Sequence, residues 1–285
     1  MNKRLLFLSV VFLVCTSLLT LFWRMGAIPV ITYFPEDNQT GFVKTGTALE
    51  LISENSSDSY EMIWTSTSKS EENLYLRQDA SLIFNNGQLI GVRSNWRKNT
   101  DTIRIEEKFS AEDSNYFQAI SFHHGEVHYP NKIKSIHHST YDQLYVIDSP
   151  STILKSFKSP ETGYEHEWAR LLNHTTEQQL VYNWKQLMAY YDIDQKDYYA
   201  IPLTDLHKFN TEPLPSFTQK QTKQIIGQLW EGIYKNYILN VKNLRNKTVK
   251  SYIPLILFDN QHNHLMVLFE WNGQKERLIQ KYPDF

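Results

Sequence analysis

Ser81-Leu82-Ile83-Phe84-Asn85-Asn86-Gly87-Gln88-Leu89-Ile90 carries the reading of the fold. Two short apolar runs flank an Asn-Gly pair, the pair best suited to a two-residue type I′ turn, because both central residues must take a positive φ. A hairpin is therefore predicted at 86–87. Further along, Ile103, Ile105 and Phe109 take one parity and Thr102, Arg104, Glu106 and Lys108 the other, the period of two of a half-buried strand. His124-Gly125, between Phe117 to His123 and Glu126 to Tyr129, reads as a second turn. Residues 41–150 accordingly read as an antiparallel β meander of several short strands.

The period changes after Pro160. Thr162-x-x-Glu165 has the form of a capping box ahead of Trp168, Leu171 and Leu172, which predicts a short helix. Thr175-x-x-Gln178 repeats the signature before Leu180, Val181, Trp184, Leu187, Met188 and Tyr191, predicting a second helix with one buried face. An irregular stretch follows from about Asp192 to Pro215. Thr218-x-x-Gln221 then opens the longest helix, with Ile225, Ile226, Leu229, Trp230, Ile233, Tyr237, Val241 and Leu244 on one side. Ile253 to Phe258 is nearly all apolar, as in a strand covered on both faces. Leu265 to Trp271 and Arg277 to Ile279 flank a further Asn-Gly pair at 272–273, a C-terminal β hairpin. The expected fold class is α+β, with residues 151–285 a helical segment plus that hairpin, possible as one domain with 41–150.

At the N-terminus an uncharged apolar run, Leu5 to Trp23, follows Lys3 and Arg4 and precedes Arg24. Its length suits a bilayer better than the shorter core of a signal peptide, and Thr20 to Met25 at its exit stays bulky where cleavage needs small residues. Phe12-Leu13-Val14 offers no small residue for a lipoprotein signal at Cys15. The expectation is a single transmembrane signal-anchor with its cytoplasmic tip in residues 1–25, a stalk in 26–40, and the rest extracytoplasmic by the positive-inside tendency. Cys15 is the sole cysteine, so no disulfide or thiol chemistry is available to the remainder of the chain. That feature, with abundant Lys, Asn and Ile, resembles the composition of a bacterial cell-surface protein. The sequons at Asn38, Asn55, Asn173 and Asn246 then read as chance matches.

Charge excludes one class of partner. Setting aside Lys3, Arg4 and Arg24 from the 29 basic residues leaves 26 against 31 acidic ones, so nucleic acid is not an expected ligand. The one local basic stretch, Lys242 to Lys250, reads as a solvated helix end.

Ser66-Thr67-Ser68-Lys69, Ser53-Glu54-Asn55 and Lys44-Thr45-Gly46 match the three elements of penicillin-recognising enzymes. They are crowded together, run in reverse order and lack a helix behind Ser66, so they read as coincidence. His123, His124, His128, His137 and His138 are numerous enough for two imidazoles to meet across adjacent strands, the start of a zinc or copper site. Glu165-His166-Glu167 reads as a helix cap. Asp192, Asp194 and Asp197 lack the glycine and distal glutamate of an EF-hand and read as a helix end. Tyr190-Tyr191 and Tyr198-Tyr199 flank the irregular loop and offer contact area for a sugar or protein partner.

No catalytic, cofactor-binding or metal-ligating residue is assigned, and no cofactor is expected. The sequence favours a non-enzymatic, membrane-anchored extracytoplasmic protein, held in the membrane by Leu5 to Trp23. It would bind a protein partner in the membrane or envelope, or an envelope component, in an accessory, sensory or assembly role. The alternatives are an envelope hydrolase or transferase using carboxylates and histidines without a linear motif, and a ligand- or metal-binding sensor module.

Overall fold

The computed structural model of the chain describes residues 34–56, 59–149, 152–243 and 250–283. At the predicted turn Asn86 has φ 47° and Gly87 φ 79°, and Asn85 pairs with Gln88 across it. The turn joins β2 (Ser59–Asn85) to β3 (Gln88–Ala111). These strands are 27 and 24 residues long, several times the length of ordinary hairpin strands. In β3, Ile103 and Ile105 are buried while Thr102, Arg104, Glu106 and Lys108 face solvent, which is the alternation read from the sequence.

Length lets β2 serve two neighbours in succession. Its first half pairs with β1 (Phe42–Ser56) and its second half with β4 (Asn115–Tyr129), while β3 accompanies it on both halves. The ribbon changes course at the register break between Lys69 and Leu74, where the Ser70 hydroxyl lies 2.7 Å from the Glu72 carbonyl and 3.3 Å from that of Asp101. β5 (Lys132–Ser149) and β6 (Thr152–Phe157) complete a six-stranded antiparallel sheet.

The sheet turns back on itself, and side chains fasten β1 to β5. Thr45 Oγ1 lies 2.9 Å from His138 Nδ1, Thr47 Oγ1 lies 2.6 Å from Thr140 Oγ1, and Asp142 accepts the Leu49 N–H at 2.8 Å. The constant offset means the two strands run side by side in the same direction. Phe34 to Thr40, the last residues of the expected stalk, lie along the start of β5, with Asp37 N–H on the Ser135 carbonyl and Ser135 N–H on that of Pro35. Inside the fold, Leu49, Met62, Trp64, Phe117 and Leu144 form one apolar cluster, and Leu74, Leu76, Ile103, Val127 and Ile136 another. Ser66, Ser68, Gln78 and His123, each at most 1% exposed, add a buried polar group to this interior.

Helix α1 (Gly163–Tyr190) is one 28-residue helix where two were predicted. Thr162 and Glu165 form the expected capping box, but Thr175 caps nothing: its hydroxyl donates to the Leu171 carbonyl one turn back. No Gly or Pro stands between Trp168 and Leu180 to stop the helix, so it continues. Helix α2 (Gln219–Ile233) starts at the predicted Thr218 cap with Gln221 completing the box. It passes through a π turn (Tyr234–Ile238), where the Asn236 amide donates to the Gly232 carbonyl, into α3 (Leu239–Asn243). The predicted stripe from Ile225 to Val241 is buried; Leu244 lies outside the described residues.

Between α1 and α2 sits a second antiparallel sheet in the order β10-β9-β8-β7. It comprises β7 (Tyr198–Pro202), β8 (Leu255–Asp259), β9 (His264–Trp271) and β10 (Gln274–Lys281). Every residue of β8 is buried, since Ile256 and Phe258 join the α2 side and Leu255 and Leu257 the Leu187–Met188 side. The stretch read as irregular supplies β7 and a 3₁₀ helix (Leu203–Asn210). The opening hairpin joins the two sheets. Gly87 accepts the Ile253 N–H at 2.9 Å, Leu89 N–H donates to Ser251, and a Cβ on Gly87 would lie 3.0 Å from Leu180 of α1. All the described residues belong to one compact unit, Tyr33–Phe285.

Three expectations need correction. The class is mostly β, 55% strand and 27% helix among the described residues, because the strands of the first sheet far outrun the short meander expected. The turn placed at His124-Gly125 is strand instead: Gly125 faces Ile136 in the sheet interior, where a Cβ would lie 3.0 Å from it, and the chain reverses at Pro130-Asn131. The single-pass membrane placement is not supported, since no helix among the described residues is long and apolar enough to cross a membrane. Leu5 to Trp23 lies outside those residues.

Candidate functional site

A groove of about 680 Å³ opens where the β2–β3 ribbon changes course. Glu72, Asn73, Leu74 and Tyr75 come from the bend of β2, Lys98 and Asn99 from that of β3, and Glu126 to Tyr129 from the end of β4. Asn99 takes φ 52°, which short polar side chains tolerate best and which a bend here requires. Leu74 and Val127 are buried and give the groove an apolar base; Gln39, Glu72, Asn73, Lys98, Asn99 and His128 are exposed around it.

Two tyrosines are fixed in place. Trp96 meets Tyr75 edge-on at 5.8 Å between centroids, His128 at 6.2 Å, and Lys98 Nζ stands 5.7 Å from the ring centre. Tyr129 shares its one O–H between Asp37 at 2.8 Å and Gln39 at 3.1 Å. Burial would raise the Asp37 carboxyl, but the Gln39 N–H, the Tyr129 O–H, the Thr40 N–H and nearby Lys134 outweigh it and hold its pKa below the ordinary value. The hydrogen bond to that carboxylate in turn pushes the Tyr129 hydroxyl up, so it stays a neutral donor. Glu126 is braced on both oxygens, by Arg77 at 2.8 Å and His128 at 2.9 Å.

The histidines do meet across strands, though on a different hairpin from the one expected. His123 lies opposite His138 and His124 opposite His137 in β4–β5. Alternation sends the first pair inward and the second outward. His123 is fully engaged, with Nδ1 at 2.8 Å from Ser68 and 3.1 Å from Gln78, and Nε2 at 2.6 Å from Thr140. Burial pushes His123 and His124 down to about 3 and His137 to about 4, so all three are neutral near pH 7. Among the described residues no group of three or more His, Cys, Asp or Glu stands close enough to hold a metal ion.

The other motifs resolve into structure. Register places Lys44-Thr45-Gly46 opposite Lys69-Ser68-Thr67, but Ser66 is buried, accepting from Gln78 at 2.7 Å, while Lys69 faces solvent on the opposite side of β2. Ser53, Glu54 and Asn55 belong to β1, away from Ser66. Glu165 caps α1. Asp192, at φ 53°, follows its C-terminus, and Asp194 caps the 3₁₀ turn Gln195–Asp197. Tyr190 and Tyr191 carry Lys275 and Arg277 over their rings at 4.9 and 4.7 Å.

None of the groove tyrosines was singled out in the sequence. A signal existed in Leu74-Tyr75-Leu76, where alternation around two apolar residues sets Tyr75 on the other face, but an aromatic on a strand is ordinary. That Tyr75 and Tyr129 share a groove depends on the β2 bend, which the sequence does not announce. No protein-family model matches the chain, and no curated protein matches it. Among solved structures, the solution structure of AT1g01470 from Arabidopsis thaliana matches with a TM-score of 0.26 and 11% identity, over 45% of this chain and 93% of that one. A likeness that slight carries no argument.

Proposed function

We propose that this chain is a binding protein whose groove at the β2–β3 bend receives a polyhydroxylated ligand, a segment of glycan. The supporting observation is that Tyr75, Tyr129, Leu74 and Val127 line one groove at the bend, together with Gln39, Glu72, Asn73 and Asn99. A sugar ring presents an apolar C–H face and a belt of hydroxyls that both donate and accept. Tyrosine rings cover the first, and amides and carboxylates answer the second. The volume falls within the range of ligand pockets, roughly 300 to 1,000 Å³.

Binding suits this lining better than hydrolysis. Glycoside cleavage needs two carboxyl groups free to act as acid and base or nucleophile, whereas Glu126 already has each oxygen engaged by Arg77 or His128. The reading keeps the accessory binding role expected from the sequence and gives it a site. Glycan-array screening of the full chain, followed by calorimetry on a hit, tests it. Tyr75→Ala should weaken the hit by at least about tenfold, the loss of one aromatic contact, in a chain that still unfolds cooperatively. Binding indifferent to Tyr75→Ala and Tyr129→Ala, or no glycan bound at all, would overturn the proposal.

A further inference from the structure

A second concavity, of about 200 Å³, lies at the β8–β9 turn and draws on four separate parts of the chain. Tyr199 comes from β7, Phe258 and Asp259 from the end of β8, Phe217 from the turn before α2, and Tyr282 from the residue after β10. The rings stand at angles to one another. Phe217 meets His262 at 5.2 Å and 68° and Tyr282 at 5.1 Å and 56°, while Tyr199 and Phe258 lie 6.2 Å apart at 30°. The wall contains no Lys or Arg.

Asp259 is the charge in this aromatic lining. It is only 8% exposed, and its carboxylate accepts the Gln261 N–H at 2.9 Å and the Asn263 N–H at 3.1 Å. Among the described residues the one basic group within ion-pair distance is His264, at 3.5 Å. Burial would raise the carboxyl, but those N–H groups, the Asn263 side chain and His264 more than offset it, so the group is ionised near pH 7. The Tyr282 hydroxyl, also in the wall, is buried without a hydrogen-bond partner. A secluded carboxylate without Lys or Arg, in a wall otherwise rich in aromatic rings, favours a cation over an anion or a neutral guest.

We infer that this pocket is a binding site for a small alkylated ammonium cation, with Tyr199, Phe217, Phe258 and Tyr282 offering ring surface and Asp259 the counter-charge. The volume is below that of drug-sized pockets, which limits the guest to a head group of the choline class. Alkylation matters because it makes the cation weakly hydrated, so the cost of leaving water is low and the ring faces replace what is lost. The site is independent of the groove at the β2–β3 bend and stands whether or not that groove binds glycan.

The test is a calorimetric titration of the full chain with choline and, separately, with 3,3-dimethyl-1-butanol, which has choline's shape without its charge. Choline should saturate, and the neutral alcohol should bind at least about tenfold more weakly. Asp259→Asn and Phe217→Ala should each weaken choline by about fivefold to tenfold. Equal binding of the two compounds, no saturation by choline, or choline binding unchanged in both variants would each overturn the assignment. The comparison of the two compounds uses the unsubstituted chain, so it remains decisive if a variant fails to fold.

Discussion

Replacing Gly87 by alanine tests the claim that the opening hairpin is the joint between the two sheets. Gly87 takes φ 79°, where a residue with a Cβ is disfavoured by roughly 1–2 kcal/mol. The added Cβ would also lie 3.0 Å from both Cγ and Cδ2 of Leu180 and 3.3 Å from Thr176, inside normal contact distance. Overfilling a packed site of this kind costs about 1–3 kcal/mol. Together the two effects predict a loss of about 2–5 kcal/mol, against total stabilities of about 5–15 kcal/mol for native domains. Gly273 supplies the control: it has φ 81° but nothing within 4 Å of its would-be Cβ, so Gly273→Ala should show the backbone cost alone. Urea unfolding followed by tryptophan fluorescence measures both. The excess at Gly87 should shrink when Leu180 is already alanine, since the clash then has no partner, a coupling readable by double-mutant cycle. Equal losses at the two glycines, or an excess that persists in the Leu180→Ala background, would refute packing against α1 as its cause.

Ser216 sits at the third position of the turn Leu214–Phe217, closed by the Phe217 N–H on the Leu214 carbonyl, with Pro215 before it and φ 67°, a type II arrangement that prefers glycine. Ser216→Gly should therefore raise stability by about 0.5–1 kcal/mol, left after glycine's greater freedom when unfolded is subtracted, and an unchanged or lower unfolding midpoint would count against it. The Glu165 carboxyl is held down to about 2 by Lys155 and by the N–H groups of Glu161 and Thr162, from an ordinary value of 4.5. Its contribution is present in full above about pH 4.5 and fades as pH falls toward 2, so Glu165→Gln should unfold more easily near neutrality and match the parent at the acid end; a pH-independent difference would contradict this. His123 and His124 stay neutral in the fold down to about pH 3 but take protons at 6.5 when unfolded. Each therefore costs about 1.4 kcal/mol of stability per pH unit as pH falls below 6.5, and His124→Gln should flatten that slope in urea titrations between pH 6.5 and 4.5.

Local chemistry was legible where one residue type answers one geometric demand. Asn-Gly at 86–87 and 272–273 predicted paired positive φ values, and both turns have them. Thr162 and Thr218 predicted capping boxes, and both are formed. The same rules misled where a motif had a second use. Thr175-x-x-Gln178 repeats the capping pattern in mid-helix, where a threonine hydroxyl finds the carbonyl four residues back as readily as a terminal N–H. His124-Gly125 resembles a turn, yet glycine suits position 125 because a Cβ there would press on Ile136 at 3.0 Å and on Leu74 at 3.3 Å in the sheet interior. Glycine records that space is short as well as that φ is positive, and sequence alone does not separate the two.

The candidate sites were less legible because each is assembled by tertiary approach. Tyr75 and Tyr129 are 54 positions apart in the chain and reach one groove through the register break after Lys69, a feature with no Gly or Pro to mark it. The cross-strand histidines show the opposite case. Their clustering in sequence allowed two imidazoles to meet across a hairpin at His124-Gly125; the reversal lies instead at Pro130-Asn131, where His123 faces His138 and His124 faces His137, and alternation divides the four imidazoles between two faces of the sheet. Of the inner pair, His123 is taken up by Ser68, Gln78 and Thr140 and His138 by Thr45. Sequence proximity thus supplied the donors for a metal site, and the period of two removed the third ligand from reach. A strand can bring two such side chains together from its neighbour; a third must come from a bend, a loop or another element. It is at such bends and turns, at 70–74 and 259–263, that this chain collects the side chains of both its candidate binding sites.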